Sequence, residues 1–287
     1  MKQVRDFLEL IKFEHTIFAL PFAYLGMLLA AGGWPTWQQF IWITIAMAAA
    51  RTLAMSANRI ADRVIDAHNP RTSQRPLVTG AISLKTAWEG SVLAALVLAL
   101  AAWQLGPLPL RLLPGAYIFL LGYSFTKRFT WLSHFFLGFT DGLAPIGAWA
   151  AIRGSLFSTA DLPAWILLAV VTLWIGGFDL IYACQDVEYD RQDGLKSIPA
   201  LFGVAFALRL STICHLATIA LLASLGLLLG LGWPYWIGLA VVVALLVWEH
   251  SLVKPDDLSR IDVAFFNINS YISLTLFIAI LVALYIA

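Results

Sequence analysis

Nine apolar stretches of about 20 residues each follow one another along this chain, separated by polar breaks of which two are long. They cover roughly 16–34, 37–57, 87–105, 108–125, 132–152, 163–183, 205–231, 233–248 and 264–287. As a helix, each rises about 30 Å, enough to cross the hydrocarbon core of a bilayer. The chain is therefore predicted to be all-α, a single polytopic membrane bundle of about nine transmembrane helices, with Gly32, Gly33 and Pro35 turning the chain between the first two. Only 12% of the 287 residues are charged, about half the share expected of a soluble domain. The net charge of +1 is divided among short loops, which argues against a nucleic-acid partner. Cys184 and Cys214 stand singly in apolar surroundings without CxxC spacing, so both read as packing residues. The lead carries Lys2, Arg5 and Lys12 among apolar residues, and no small-residue cleavage site follows the first apolar run. No cleaved signal peptide is expected.

If the N-terminus is cytoplasmic, the loops after the second, fourth, sixth and eighth spans return to the cytoplasm. All of the 18 lysines and arginines except Arg51, Arg111 and Arg153 then fall on that side, in agreement with the positive-inside rule. Trp34, Trp37, Trp131, Trp233 and Trp236 mark span ends, where amphipathic rings favour the membrane interface.

Two long polar segments stand out on the predicted cytoplasmic side, NRIADRVIDAHNPRTSQRPLVTG after the second span and QDVEYDRQDGLKSIPALFG after the sixth. Their corresponding positions, four spans apart, predict an internal duplication with halves at about 1–130 and 131–260 followed by a final helix. Asn58, Asp62 and Asp66 are four residues apart, so on a helix they present oxygen ligands on one face. Asp186 and Asp190 repeat the spacing, with Tyr182 one turn earlier and Asp193 just beyond. Paired carboxylates of this kind suit Mg²⁺, a hard cation usually held by one or two carboxylates together with substrate phosphates. The plainer reading, aspartates that merely solvate helix ends, serves for one such pair but poorly for two at corresponding places. Facing carboxylates repel, and divalent cations with a diphosphate between them relieve that repulsion. Arg63, Arg71, Arg75, Lys127, Arg128, Arg191 and Lys196 are the cations available to phosphate.

NRIADRVIDAHNPRTSQRPLVTG resembles the NDxxDxxxD-type motif of the UbiA superfamily of intramembrane prenyltransferases with its following RPL stretch, and YACQDVEYDRQDGLKSIPALFG resembles the second, YxxxDxxxD-type motif. The resemblance covers nearly the whole chain in motif order and span count. It implies helices around a central cavity, binding of Mg²⁺ and diphosphate by Asn58, Asp62, Asp66, Asp186 and Asp190, and a diphosphate contact from Lys127 in YSFTKRFT. FEHTIFALPFAYLG is similar to bacterial 4-hydroxybenzoate-type members. The chain departs from the commoner pattern at Arg59, where many members have Asp, and at Glu14-His15, where many have a basic residue before Pro.

The reaction implied is Mg²⁺-dependent transfer of a polyprenyl group from its diphosphate to an aromatic acid, 4-hydroxybenzoate first and a dihydroxynaphthoate second, within the bilayer. Asp179, seven residues before Asp186, and Asp141 inside the fifth span are candidates for orienting the acceptor or removing a proton, or else for bonding helix to helix. A membrane transporter with paired acidic sites is the rival class. Its acids are expected near the bilayer midplane, whereas these sit at span ends. A phosphotransferase acting on CDP-linked alcohols lacks support, because no DxxDGxxAR run is present.

Overall fold

The computed structural model describes residues 2–11 and 16–286; Lys12, Glu14 and His15 lie outside the described residues. The described residues form helices α1 (Lys2–Leu10), α2 (Thr16–Ala31), α3 (Trp37–His68), α4 (Leu84–Leu105), α5 (Pro107–Gly122), α6 (Ser133–Arg153), α7 (Leu162–Ala183), α8 (Val187–Gln192), α9 (Ile198–Phe202), α10 (Val204–Leu228), α11 (Trp233–Ser251) and α12 (Asn269–Ile286). A π-helical turn, Val263–Ile268, leads into α12. Eight segments are long and apolar enough to cross a membrane, and a shorter apolar helix, Leu20–Ala31, lies within α2. The nine predicted spans thus correspond to these eight and α2.

Helix α3 starts sharply, because Thr36 caps it and Gln39 reaches back to the cap in a reciprocal box. It then overruns the predicted end near residue 57. At 1.5 Å per residue its 32 residues rise ~48 Å, so its last turns project beyond a hydrocarbon core and carry Asn58, Asp62 and Asp66 with them. The amphipathic lead becomes α1, and Leu10 and Ile11 behind it pack on Leu77, Ile82 and Ala87. This covers the segment between α3 and α4 from one side.

Helices α6 and α7, α3 and α4, α7 and α10, and α11 and α12 pack as neighbours, with α2 lying against α6 and α12. Leu96, Ile118, Leu227 and Val247 point outward and are exposed, as an exterior bathed in lipid requires. The five interface tryptophans predicted above are also exposed at helix ends. Inside, an apolar cavity of about 830 Å³ is walled by α2 to α7 and by the π turn, through residues such as Leu98, Phe119, Phe139, Ile146, Trp174 and Phe178.

On the far side, a polar knot closes the link between α6 and α7. The fully buried Asp161 accepts hydrogen bonds from Trp149 Nε1 (3.0 Å), Ser155 Oγ (2.6 Å), Ser158 Oγ (2.6 Å) and the Ser158 backbone N–H (3.0 Å). Asp161→Ala strands several of these donors and is expected to destabilise the detergent-solubilised protein by about 3 kcal/mol. Thermal unfolding followed by loss of the monodisperse peak tests this; an unchanged midpoint contradicts it.

Candidate active site

The end of α3 and the end of α7 meet around a polar cavity of about 210 Å³. Asp62, Asp66 and Asp190 are buried there, and Asn58, Asp186 and Asp193 line it with them. The second acidic pair does not ride on one continuous helix. The chain tightens into a 3₁₀ turn at Cys184–Asp186 before α8 begins, yet both carboxylates still face the same cavity.

The arginines expected to await phosphate lie on these acids. Arg71 grips Asp186 with a fork, Nη2 to Oδ2 at 2.6 Å and Nε to Oδ1 at 3.1 Å, while Asn69 Nδ2 donates to the same Oδ1 at 2.8 Å. Arg75 pairs with Asp66 at 2.6 Å and Arg128 with Asp62 at 2.9 Å. Burial works against the Arg71 charge, but the hydrogen bonds and field of Asp186 outweigh it and raise the guanidinium pKa above its ordinary value. The repulsion anticipated between facing carboxylates is therefore neutralised from within the chain. Among the described residues the cavity is lined by the cations Arg71, Arg75 and Lys127, and of these Lys127 alone forms no ion pair.

Asn58 is oriented by its neighbours, donating to Asp62 Oδ2 at 2.9 Å and Ser124 Oγ at 3.2 Å and accepting from Arg59 at 3.2 Å. Arg59 itself is buried and also donates to the Leu10 carbonyl at 3.3 Å, so it fastens the lead to α3. Tyr182 accepts from Arg71 Nη1 at 2.9 Å and stacks on Phe265 with ring centroids 4.0 Å apart. Arg63 is exposed and lines neither cavity. Lys196 is exposed, with its ammonium 3.4 Å from the Phe129 carbonyl, and Arg191 donates to the Ala200 carbonyl at 2.8 Å.

Three participants were not singled out from sequence. Asn69 and Ser124 take part through the bonds above. His134 opens α6, and its Nδ1 lies 2.7 Å from Asp179 Oδ2 while its Nε2 accepts the Ile198 backbone N–H at 3.3 Å. With Nε2 accepting, Nδ1 carries the proton and donates to Asp179. No local motif links residues 45 positions apart; the only signal was a histidine at the start of an apolar run. Asp141 stands on the wall of the apolar cavity, as does Arg51, whose Nε is buried without a hydrogen-bond partner.

Asn58, Arg71, Arg75, Tyr123, Leu137, Asp179 and Tyr182 line both cavities, so the polar and apolar spaces share a seam. The oxygen donors are hard, Asp193 Oδ2 is buried with no partner, and among the described residues no three of these carboxylates converge into a closed cage. That donor set fits a hard divalent cation which takes few protein ligands and completes its shell with phosphate and water. Fold and site together define a polytopic membrane protein whose acid-lined polar cavity adjoins a large apolar one, a shape suited to an amphiphile with a long apolar body and a polyanionic head.

The UbiA prenyltransferase family profile matches residues 19–271, and the chain belongs to that family. It is 33% identical over 264 residues to a 4-hydroxybenzoate octaprenyltransferase of Methylobacillus flagellatus, covering 91% of this chain and 86% of the relative. A protein of the same name from Cupriavidus necator is 36% identical, covering 84% of this chain and 82% of that one. Among solved structures, the apo form of a UbiA homolog from Aeropyrum pernix K1 superposes with a TM-score of 0.85 at 35% identity, over 94% of this chain and 98% of that one. A UbiA homolog from Archaeoglobus fulgidus bound to GPP and Mg²⁺ shares the fold, with a TM-score of 0.68 at 22% identity over 96% and 99% of the two chains.

Proposed function

We propose that this chain transfers a polyprenyl group from polyprenyl diphosphate to a ring carbon of 4-hydroxybenzoate, using Mg²⁺ at the two aspartate clusters. The seam between the cavities carries the reading, because it sets an acid-lined polar space directly against a large apolar one. The relatives' shared name supplies the acceptor, and the solved homolog with GPP and Mg²⁺ supports the donor class and the cation.

Asp62, Asp66, Asp186 and Asp190 would hold the cation, with Asn58 orienting Asp62. Mg²⁺ bound there supplies charge neutralisation to the leaving diphosphate. Lys127 takes the diphosphate as a point charge, and Arg71 and Arg75, held at the cavity by Asp186 and Asp66, would offer their forks to phosphate oxygens once a cation neutralised those acids. The allylic C–O bond breaks with its electron pair leaving on the diphosphate, and the aromatic carbon attacks the prenyl carbon. Phe178, Tyr182 and Phe265 line the cavity at this level and exclude water from the cationic prenyl group. Asp179, steadied by the His134 proton, stands at the seam to accept the proton that the ring carbon loses. Arg51 is placed to pair with the acceptor carboxylate. Positive residues clustered at the site's end of the bundle support a site facing the cytoplasm, and the bacterial relatives support the bacterial inner membrane.

The test incubates purified protein in detergent with polyprenyl diphosphate and, separately, 4-hydroxybenzoate or a dihydroxynaphthoate, with Mg²⁺ or chelator. Metal-dependent product with 4-hydroxybenzoate is expected; product only with the naphthoate reassigns the acceptor, and none with either removes the proposal. Arg51→Leu is expected to raise KM for 4-hydroxybenzoate about 10–100-fold, the equivalent of one lost charge-assisted pair, with the diphosphate KM little changed. An unaltered acceptor KM excludes Arg51 from that role. Gly147 faces the apolar cavity with open space at its Cβ position, about 20 Å along α6 from His134. Gly147→Phe is expected to shift preference toward shorter prenyl diphosphates, read from competition between donors of different length.

A further inference from the structure

Glu249 of α11 is fully buried and lines neither cavity. Its Oε1 accepts from Asn269 Nδ2 at 3.0 Å, at the start of α12, but its Oε2 is buried with no hydrogen-bond partner. That oxygen lies 3.6 Å from Nδ1 of His215, a buried histidine of α10. The same Nδ1 lies 2.9 Å from Nε2 of His250, the residue after Glu249.

The proton positions make this arrangement informative. His215 Nε2 faces the Trp174 carbonyl at 3.2 Å, and a carbonyl only accepts, so Nε2 carries the hydrogen. The lone pair of a neutral His215 is then on Nδ1, directed at the His250 nitrogen and near the unpartnered Glu249 oxygen. A hydrogen on His250 Nε2 satisfies the 2.9 Å contact with His215 Nδ1, but Glu249 Oε2 is left with no donor, and a cation lying among the three would take the lone pairs of all of them. Meanwhile the outward bonds, His215 to a carbonyl and Glu249 to Asn269, are of the kind that fix metal-ligating imidazoles and carboxylates.

We propose that His215, Glu249 and His250 form a binding site for a borderline divalent transition metal, Zn²⁺ in its chemical class, which ties α10, α11 and α12 together. The three ligand atoms lie within 4.8 Å of one another. Ligands at Zn–N and Zn–O lengths around a tetrahedron are separated by about 3.3 Å, so small side-chain adjustments complete the set. Two imidazoles and one carboxylate favour Zn²⁺ or Co²⁺ over Mg²⁺, the cation suited to the all-oxygen aspartate site. The site stands behind the π turn, whose Phe265 stacks on Tyr182. Asn269 holds the turn too, through the Ala264 and Phe265 carbonyls at 3.1 and 3.0 Å. Metal here fixes one wall of the reaction cavity.

The test strips untagged protein in detergent with a chelator and titrates it with Co²⁺. Wild-type protein is expected to take up one Co²⁺ with the intense visible bands of a low-coordinate nitrogen and oxygen site. Glu249→Gln and His250→Gln are each expected to weaken that uptake at least tenfold, and Asp62→Ala with Asp186→Ala to leave it unchanged. Because the wild-type spectrum is itself a readout, misfolding of a variant does not shield the idea. Absence of the bands in folded wild-type protein overturns the site, as does equal Co²⁺ affinity in folded Glu249→Gln and His250→Gln.

Discussion

Asp62→Ala and Asp186→Ala are each expected to lower prenyl transfer about 10²–10³-fold, the usual cost of removing one preorganised electrostatic partner from a reacting centre. Folding is expected to survive both. Arg128 keeps the Ala61 and Ser124 carbonyls at 2.8 and 2.9 Å after losing Asp62, and Arg71 keeps the Tyr182 hydroxyl after losing Asp186. The two aspartates come from α3 and from the 3₁₀ turn after α7, and in the proposed reaction they serve one cation and diphosphate assembly. The double variant should therefore fall well short of the product of the single losses. Steady-state rates with saturating acceptor, alongside size exclusion in detergent, decide the matter. Turnover within threefold of wild type in either folded variant would show that its carboxylate is not part of the reaction.

The second large effect falls on packing. A Cβ on Gly138 of α6 would land on the Thr172 carbonyl of α7, and one on Gly26 of α2 would land on the Pro145 carbonyl of α6. Backbone atoms cannot swing aside as a side chain does, so whole helices must separate. Gly138→Ala and Gly26→Ala are each expected to cost roughly 3 kcal/mol or more, at or beyond the upper end of overpacking penalties. Gly122→Ala, with open space around it, is the matched control and should be neutral or slightly stabilising. Melting of the three variants in one detergent provides the comparison, and coincident midpoints would remove the argument. Gly138 lies one turn from His134, and Thr172 two turns before Asp179, so α6–α7 separation should also pull that pair apart and lower activity in the surviving fraction.

The membrane bundle was legible because burial in lipid demands long unbroken apolar runs, a requirement written directly into residue order. The acids were legible because four-residue spacing survives any helix that carries it. The overrun of α3 was less so, since hydropathy reports where lipid ends and not where helix ends. The 3₁₀ turn before α8 left no mark in the spacing of Asp186 and Asp190. Which arginine meets which aspartate depends on the approach of α3, the loop after it and the segment following α5, contacts separated by up to 117 positions in the case of Asn69 and Asp186. His134 and His215 were hidden for the same reason: His134 meets Asp179 from 45 positions away and His215 meets His250 from 35.

Three acids of the site, Asp62, Asp66 and Asp186, already hold arginines, so in the proposed reaction the site works as an ion exchanger. A divalent cation arriving alone must displace guanidinium groups that then have nowhere to go, and a diphosphate arriving alone meets arginines already spoken for, with Lys127 alone unpaired among the described cations of the cavity. Arriving together, they let each carboxylate trade arginine for metal while each arginine trades carboxylate for phosphate, and the tally of close opposite charges is conserved. Each ion should accordingly tighten the binding of the other by an equal factor.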